Sequence, residues 1–109
     1  MFENILTTNS IYEKNKIFVI DSKFRGMGQS FLCAYMSNKF KYDIIVNNIG
    51  MKKYVEYIIN KYNFKCSVLV YSDPLRGCHS SNIILDGLFF NNYKTLIKSE
   101  YYNIYGFIC

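Results

Sequence analysis

The chain has 109 residues, a mass of 12.9 kDa and a formal net charge of +5, a length that supports one domain. Half of its residues are hydrophobic and 18% are aromatic, which excludes wholesale disorder. Its longest apolar runs fall far short of the roughly 18 residues that a membrane-spanning helix needs. The first ten residues, MFENILTTNS, carry an acid at position 3 and no apolar core. We therefore expect a cytoplasmic protein with no signal peptide and no membrane partner.

The composition also bears on the source and the partner of the chain. Residues with A/T-rich codons (Ile, Asn, Lys, Tyr and Phe) dominate, whereas Ala34 is the only alanine. This bias is typical of many viruses, phages and low-GC bacteria, so we expect a viral or phage origin. A pI near 9.0 favours an acidic protein or a nucleotide as partner. Because Arg25 and Arg76 are the only arginines, a dedicated nucleic-acid reader is disfavoured.

Four cysteines are scattered through the chain without a CxxC pair. In the absence of a secretory signal, this pattern favours free thiols in a reducing compartment over disulfides. Cys66 and the Cys78-His79 pair are the candidates for a metal site or a thiol nucleophile. Zinc sites usually show paired close spacings, so free thiols and a loop histidine are the simpler interpretation.

The predicted elements alternate between short apolar strands and helices, after a polar lead-in over residues 1–15. Continuous apolar, β-branched runs predict buried strands. Apolar residues spaced at i, i+3, i+4 and i+7 predict the helix over residues 51–62, and the run FLCAYM, apolar nearly all round, predicts a mostly buried helix over residues 29–39. The predicted strands are residues 16–20 (KIFVI), 43–47 (DIIVN), 66–71 (CSVLVY), 82–86 (NIILD) and 103–108 (NIYGFI). The predicted helices are residues 29–39, 51–62 and 91–100.

The resulting order is β-α-β-α-β-β-α-β. Continuous apolar strands, rather than strands that alternate apolar and polar residues, are typical of sheets covered on both faces. We therefore predict an α/β fold in which residues 16–109 form a single small three-layer domain with a mostly parallel sheet.

A loop with two glycines separates the first strand from the first helix. Glycine lets the backbone approach an anion, and a helix start offers unpaired N–H groups at the positive end of its dipole. The phosphate-binding pattern after a strand is GxxxxGK[ST]. In the corresponding window, Gly28 and Ser30 fit, whereas Lys23 replaces the first glycine and Gln29 replaces the lysine.

The segment RGMGQS, residues 25–30, resembles the Arg-Gly-x-Gly-Lys-Ser loop of P-loop NTPases, particularly their viral and phage terminase-like and helicase-like branch. The strand NIILD, which ends in Asp86, resembles the aliphatic strand whose final Asp helps to hold Mg²⁺ in that family. The resemblance implies ATP or GTP with Mg²⁺ as the cofactor, and Ser30 and Asp86 as the metal position. The implied phosphate-binding residues are Lys23, Arg25, Gly26, Met27, Gly28, Gln29 and Ser30.

Two departures from this pattern predict binding without efficient hydrolysis. Gln29 lacks the positive charge of the loop lysine, and Gly87 stands where the family usually has a glutamate that activates water. Losing one preorganised group at a developing charge costs about 10²–10³ in rate. Lys23 or Arg25 are the cations left to restore the charge. An efficient NTPase is therefore not expected.

Two other functions stay open at this point. RGMGQS also resembles the R-G-x-G-x-G/A motif of GNAT-type acetyltransferases, which implies acetyl-CoA, although only about 15 residues precede the first strand. The second alternative is a non-enzymatic viral inhibitor or adaptor, with or without oligomerisation, that binds a protein through a basic or tyrosine-rich surface. The residues for such a surface are Lys39, Lys41, Lys52, Lys53, Lys61, Lys65, Tyr101, Tyr102 and Tyr105.

Overall fold

The computed structural model describes residues 28–78 and 80–109, and the backbone of residues 17–19. The lead-in predicted for residues 1–15 lies outside the described residues. The described elements follow the predicted order β-α-β-α-β-β-α-β. The strands are β1 (Ile17–Val19), β2 (Asp43–Val46), β3 (Val68–Val70), β4 (Asn82–Leu88) and β5 (Asn103–Ile108). The helices are α1 (Gln29–Phe40), α2 (Ile49–Lys61) and α3 (Phe90–Lys98).

The five strands form one sheet in the order β1-β5-β4-β2-β3, and every neighbouring pair is parallel. One face of the sheet packs against α1 and α2, and the other face packs against α3. Strands buried on both faces need apolar side chains at every position, which explains the continuous runs in the sequence. The predicted three-layer α/β fold is confirmed.

Each face of the sheet has its own core. Val55 and Ile58 of α2 and Met36 of α1 pack with Ile84 and Phe107 on one side. On the other side, a smaller core surrounds Leu96 of α3 and consists of Ile45, Ile83, Leu85, Leu88, Ile104 and Ile108. Full burial of one such side chain stabilises the fold by about 1.5–3 kcal/mol. Among the described residues, no helix is long and apolar enough to cross a membrane.

The predicted end of β4 is wrong by two residues because the strand contains a bulge. It was expected to stop at Asp86, but it continues to Leu88 with a register shift against β5 between these two residues. Gly87 sits at this shift with a φ of 69°, a left-handed conformation that glycine adopts without strain. The bulge returns Leu88 to the α3 face, where its side chain is fully buried.

The predicted start of the second helix is wrong because of its cap. The sequence pattern placed it at Met51, whereas α2 begins at Ile49. The side chain of Asn48 accepts a hydrogen bond from the Met51 backbone N–H at 2.9 Å, which satisfies one donor of the first turn. The apolar spacing that begins at Met51 includes Tyr54 and Tyr62, but both are exposed, and the buried face consists of Val55, Ile58 and Ile59.

Candidate functional site

The two neighbouring strands β4 and β2 are parallel, but the connections that follow them run to opposite sides of the sheet. From β2 it continues through α2 to β3 on one side, and from β4 it continues through α3 to β5 on the other. In open parallel sheets, such a switch point leaves a crevice at the carboxyl ends of the strands, where ligands bind. Helix α1 packs on one face of the sheet, and its first turn lies beside Asp86 near the carboxyl end of β4.

Asp86, near the carboxyl end of β4, is held by the first turn of α1. The Ser30 hydroxyl donates to Asp86 Oδ2 and the Gln29 amide Nε2 donates to Asp86 Oδ1, both at 2.7 Å. The carboxylate is completely buried, and Gln29 and Ser30 are 1% and 5% exposed. The adjacent residues Gln29 and Ser30 therefore contact Asp86, which lies more than fifty positions later in the chain.

The Gln29 side chain has a polar atom left over in this arrangement. Its Oε1 is buried and meets no hydrogen-bond partner among the residues that the structure describes. A buried carbonyl oxygen without a partner costs about 1–3 kcal/mol, so the orientation that serves Asp86 has a cost. Gln29 therefore points towards the carboxylate, not outwards as a lysine on a phosphate would.

The two helices at this edge of the sheet start differently. Asn48 caps α2 with its side chain, whereas Gly28, the residue before α1, has a φ of 91° and gives no side-chain cap. A Cβ added to Gly28 would meet nothing within 4 Å, so its backbone conformation, not crowding, requires glycine. The Leu32 N–H donates to the Gly28 carbonyl at 3.0 Å. The N–H groups of Gln29 and Ser30 come earlier in the first turn, where a helix has no backbone acceptor for them.

Asn47, which the sequence analysis missed, joins the carboxyl ends of β2 and β4. Its Nδ2 donates to the Gly87 carbonyl at 2.9 Å, and its Oδ1 accepts from the Phe89 N–H at 2.9 Å. The side chain therefore fixes the bulge after Asp86 against the end of β2. An asparagine directly after a buried strand is the signal that could have identified it.

The other predicted phosphate-binding residues, Lys23, Arg25, Gly26 and Met27, lie outside the described residues, as does His79. For the site around Asp86, the structure therefore places Gly28, Gln29 and Ser30 from the loop and helix. Within the described part of the chain, no three His, Cys, Asp or Glu side chains come together as metal ligands do.

A second buried carboxylate, Asp43, lies at the amino ends of the strands, opposite the carboxyl ends where Asp86 lies. It begins β2, and its Oδ2 accepts from the Ser80 N–H at 3.0 Å and from the Cys78 thiol at 3.3 Å. Cys78 also donates to the Ser80 carbonyl at 3.1 Å. Burial raises the pKa of the Cys78 thiol to about 11, and Asp43 adds to the rise. Cys78 is therefore a neutral thiol that anchors its loop, the opposite of an activated nucleophile.

No disulfide joins the four cysteines, all of which lie in the described part of the chain. Cys33 is buried in α1, and the thiol of Cys66 donates to the Ala34 carbonyl at 3.3 Å. Burial raises the pKa of the Cys66 thiol above its ordinary value. These thiols act as small apolar side chains with weak donors.

The tyrosine-rich surface predicted near the C-terminus is only partly present. Tyr101 is 68% exposed and packs edge-on against Tyr102. Tyr105 was predicted with them, but it is buried and stacks on Tyr42 with ring centroids 4.9 Å apart. This prediction is wrong for Tyr105 because alternate residues of a strand face opposite sides, and β5 turns this ring into the core below α1.

Comparison with known proteins does not identify a relative for this arrangement: no protein-family model, no curated protein and no solved structure matches the chain.

Proposed function

We propose that the chain binds a phosphate group of a nucleotide, together with Mg²⁺, at the start of α1, and that it does not hydrolyse the nucleotide efficiently. The observation that carries this proposal is the contact of Ser30 with Asp86 at the carboxyl edge of the sheet. It places a hydroxyl and a carboxylate beside the positive end of a helix, at the position where parallel sheets bind ligands.

The two side chains fit a magnesium ion in chemistry and in spacing. Mg²⁺ prefers oxygen ligands at about 2.0–2.1 Å in octahedral geometry, which sets neighbouring ligand oxygens about 2.9 Å apart. Ser30 Oγ and Asp86 Oδ2 are 2.7 Å apart. One carboxylate is sufficient where the phosphate supplies further oxygens, because Mg²⁺ commonly binds through one or two carboxylates plus substrate phosphates. When bound, Mg²⁺ would neutralise charge on the phosphate.

The carboxylate also makes magnesium a requirement for binding. Asp86 carries a negative charge where the phosphate would approach, and like charges at close range in a buried site repel strongly. A divalent cation between the two groups converts this repulsion into attraction. We therefore expect nucleotide to bind much more weakly when Mg²⁺ is removed.

Two features favour binding over catalysis. The Gln29 amide is engaged with Asp86 and carries no charge, so it does not replace a lysine on the transferred phosphate. Gly87 occupies the left-handed bulge, where a glutamate would be strained. These two positions therefore supply neither the positive charge nor the general base that hydrolysis needs.

A thermal-shift panel tests the proposal. The ligands are ATP, GTP and ADP, each with and without Mg²⁺, and acetyl-CoA, because the rival resemblance uses the same loop. A ligand at about 100 times its dissociation constant adds roughly 2.7 kcal/mol, which raises the Tm of a domain this size by several degrees. We expect a Mg²⁺-dependent shift with ATP or GTP.

Ser30→Ala is the test variant and Ser37→Ala is its matched control. Both serines lie in α1 and are buried, but Ser37 donates to the Tyr42 carbonyl, remote from Asp86. The shift should disappear in Ser30→Ala and persist in Ser37→Ala. No shift with any nucleotide, or equal loss in both variants, would refute the proposal. A shift with acetyl-CoA alone would support the acetyltransferase instead.

A further inference from the structure

The β3 edge of the sheet carries open backbone hydrogen-bonding groups. The Ser67 carbonyl accepts from the Ile44 N–H at 2.9 Å, and the Tyr71 N–H donates to the Val46 carbonyl at 2.8 Å. Backbone groups of a strand alternate between its two sides, so residues 67, 69 and 71 face β2. Val68 and Val70 consequently direct their N–H and C=O groups away from the sheet, where no further strand is paired among the described residues.

A groove of about 520 Å³ runs beside this edge. Leu69 and Val70 of β3 form its apolar side, together with Ile49 at the start of α2, which is 63% exposed. Ile49 and the half-buried Leu69 and Val70 therefore form a contiguous apolar patch next to an open strand, and contiguous patches mark surfaces that other chains cover.

The rim of the groove is positively charged. Lys52, Lys53 and Arg76 line it, and Glu56 is the one carboxylate on it. Glu56 lies one helical turn from Lys52, so it offsets that lysine at most in part. The chain that leads to β3 has the same sign of net charge: between residues 28 and 67 there are six lysines and two acidic residues, one of which, Asp43, is buried.

From these three features we infer that the β3 edge binds an extended acidic segment of a partner protein as an added strand. Such a segment would pair with the outward backbone groups of Val68 and Val70, and its carboxylates would meet Lys52, Lys53 and Arg76. This site is separate from the start of α1, so the inference does not depend on nucleotide binding.

Charge and backbone chemistry select this occupant over two others. A second copy of the chain paired edge to edge would bring the same cations together, which is the arrangement that natural edge strands use to prevent self-association. A nucleic acid would satisfy the cations, but its backbone cannot form a strand ladder with Val68 and Val70.

The test uses a labelled peptide of about ten residues that alternates Glu and Val, with binding followed by fluorescence anisotropy at about 0.15 M salt. Three probes are compared with it: the alternating Lys and Val peptide, the Glu and Val peptide N-methylated at every residue so that neither of its edges can donate, and oligothymidylate. We expect binding of the unmodified acidic peptide alone. In addition, amide exchange should slow at Val68 and Val70, the two residues whose N–H groups face outwards.

Two pairs of protein variants distinguish the effect of this surface on binding from the effect of net charge. Lys53→Glu combined with Arg76→Glu changes two exposed rim residues, and Lys94→Glu combined with Lys98→Glu makes the same charge change on α3. The first pair should weaken the acidic peptide by about tenfold or more, and the second pair by much less. Three results would overturn the inference: equal loss in both pairs, equal binding of the N-methylated peptide, or stronger binding of oligothymidylate.

Discussion

The two buried carboxylates of the sheet differ in what holds them. Asp43, at the amino edge, is bound by the backbone N–H of Ser80 and the thiol of Cys78. Asp86, at the carboxyl edge, is bound by the side chains of Gln29 and Ser30. Both are at most 5% exposed. Burial therefore does not distinguish them, but their partners and their positions in the sheet do.

A backbone donor and a side-chain donor suit different tasks. The Ser80 N–H belongs to the backbone, so its bond to Asp43 fixes the chain just before β4. A serine hydroxyl can turn its proton away from the carboxylate and offer its oxygen to the same cation, whereas a backbone N–H cannot turn without moving the chain. The comparison fits a structural role for Asp43, and it is consistent with the ligand-binding role that we propose for Asp86.

The largest expected effect is that of Gln29→Glu, which would place a second carboxyl group beside Asp86. Two carboxylates this close in a buried site cannot both ionise, so one pKa rises above its unfolded value. A raised folded pKa gives stability that is present below about pH 4 and is lost as the pH rises through the folded pKa. We expect a loss of several kcal/mol at pH 7 that shrinks at pH 4, measured by urea unfolding.

Gln29→Met is the control for this experiment, because it removes the hydrogen bond to Asp86 without adding charge. It should cost about 1–3 kcal/mol at both pH values. If Gln29→Glu were as stable as the native chain at pH 7, the contact between residue 29 and Asp86 would not exist as described.

Asp43→Ala is expected to have a smaller effect and to act on the loop. It removes the acceptor of the Ser80 N–H and the Cys78 thiol, and an unpaired buried donor costs about 1–3 kcal/mol. Hydrogen exchange should accelerate at Ser80, while the backbone amides at the start of α1 keep their exchange rates. Faster exchange at both places would mean that the two carboxylates are not independent.

The smallest expected effect concerns Cys78 in alkaline solution. Its pKa rises from 9.0 to about 11 on folding, so the neutral thiol stabilises the fold below pH 9, and this contribution is lost as the pH rises towards 11. Unfolding measured across this range should show a steeper loss in the native chain than in Cys78→Ser.

Alkylation gives a second measure of the same shift. Because the thiolate is the reactive form, Cys78 in the folded chain should react with iodoacetamide at pH 8 at least about tenfold more slowly than in urea. Equal rates would show that Asp43 and burial do not hold the thiol neutral.

The sequence predicted the layers of the fold because its strands are continuous apolar runs and the helix predicted over residues 51–62 has a clear apolar period. It did not predict the end of β4 or the start of α2, since a bulge at Gly87 and a cap at Asn48 are single-residue features that periodicity does not register. The sequence also did not predict the strand order β1-β5-β4-β2-β3, because strand neighbours depend on crossover connections and not on local pattern.

For the candidate site, the sequence singled out Ser30 and Asp86 together but did not predict the contact that Gln29 makes. Ser30 and Asp86 were paired through a family resemblance, and the structure brings them to 2.7 Å. Gln29 was expected to face a phosphate, yet its amide turns to Asp86. Side-chain direction in the first turn of a helix depends on the strand beneath it, which the local sequence does not specify.

The most direct test of the central claim is a calorimetric titration of ATP, with and without Mg²⁺, into the native chain, Asp86→Asn and Asp43→Asn. We predict that Mg²⁺ strengthens binding at least about tenfold in the native chain and in Asp43→Asn, and that this gain is lost in Asp86→Asn. Absence of binding in the native chain, or the same Mg²⁺ dependence in both variants, would contradict the assignment of Asp86 as the ligand-binding carboxylate.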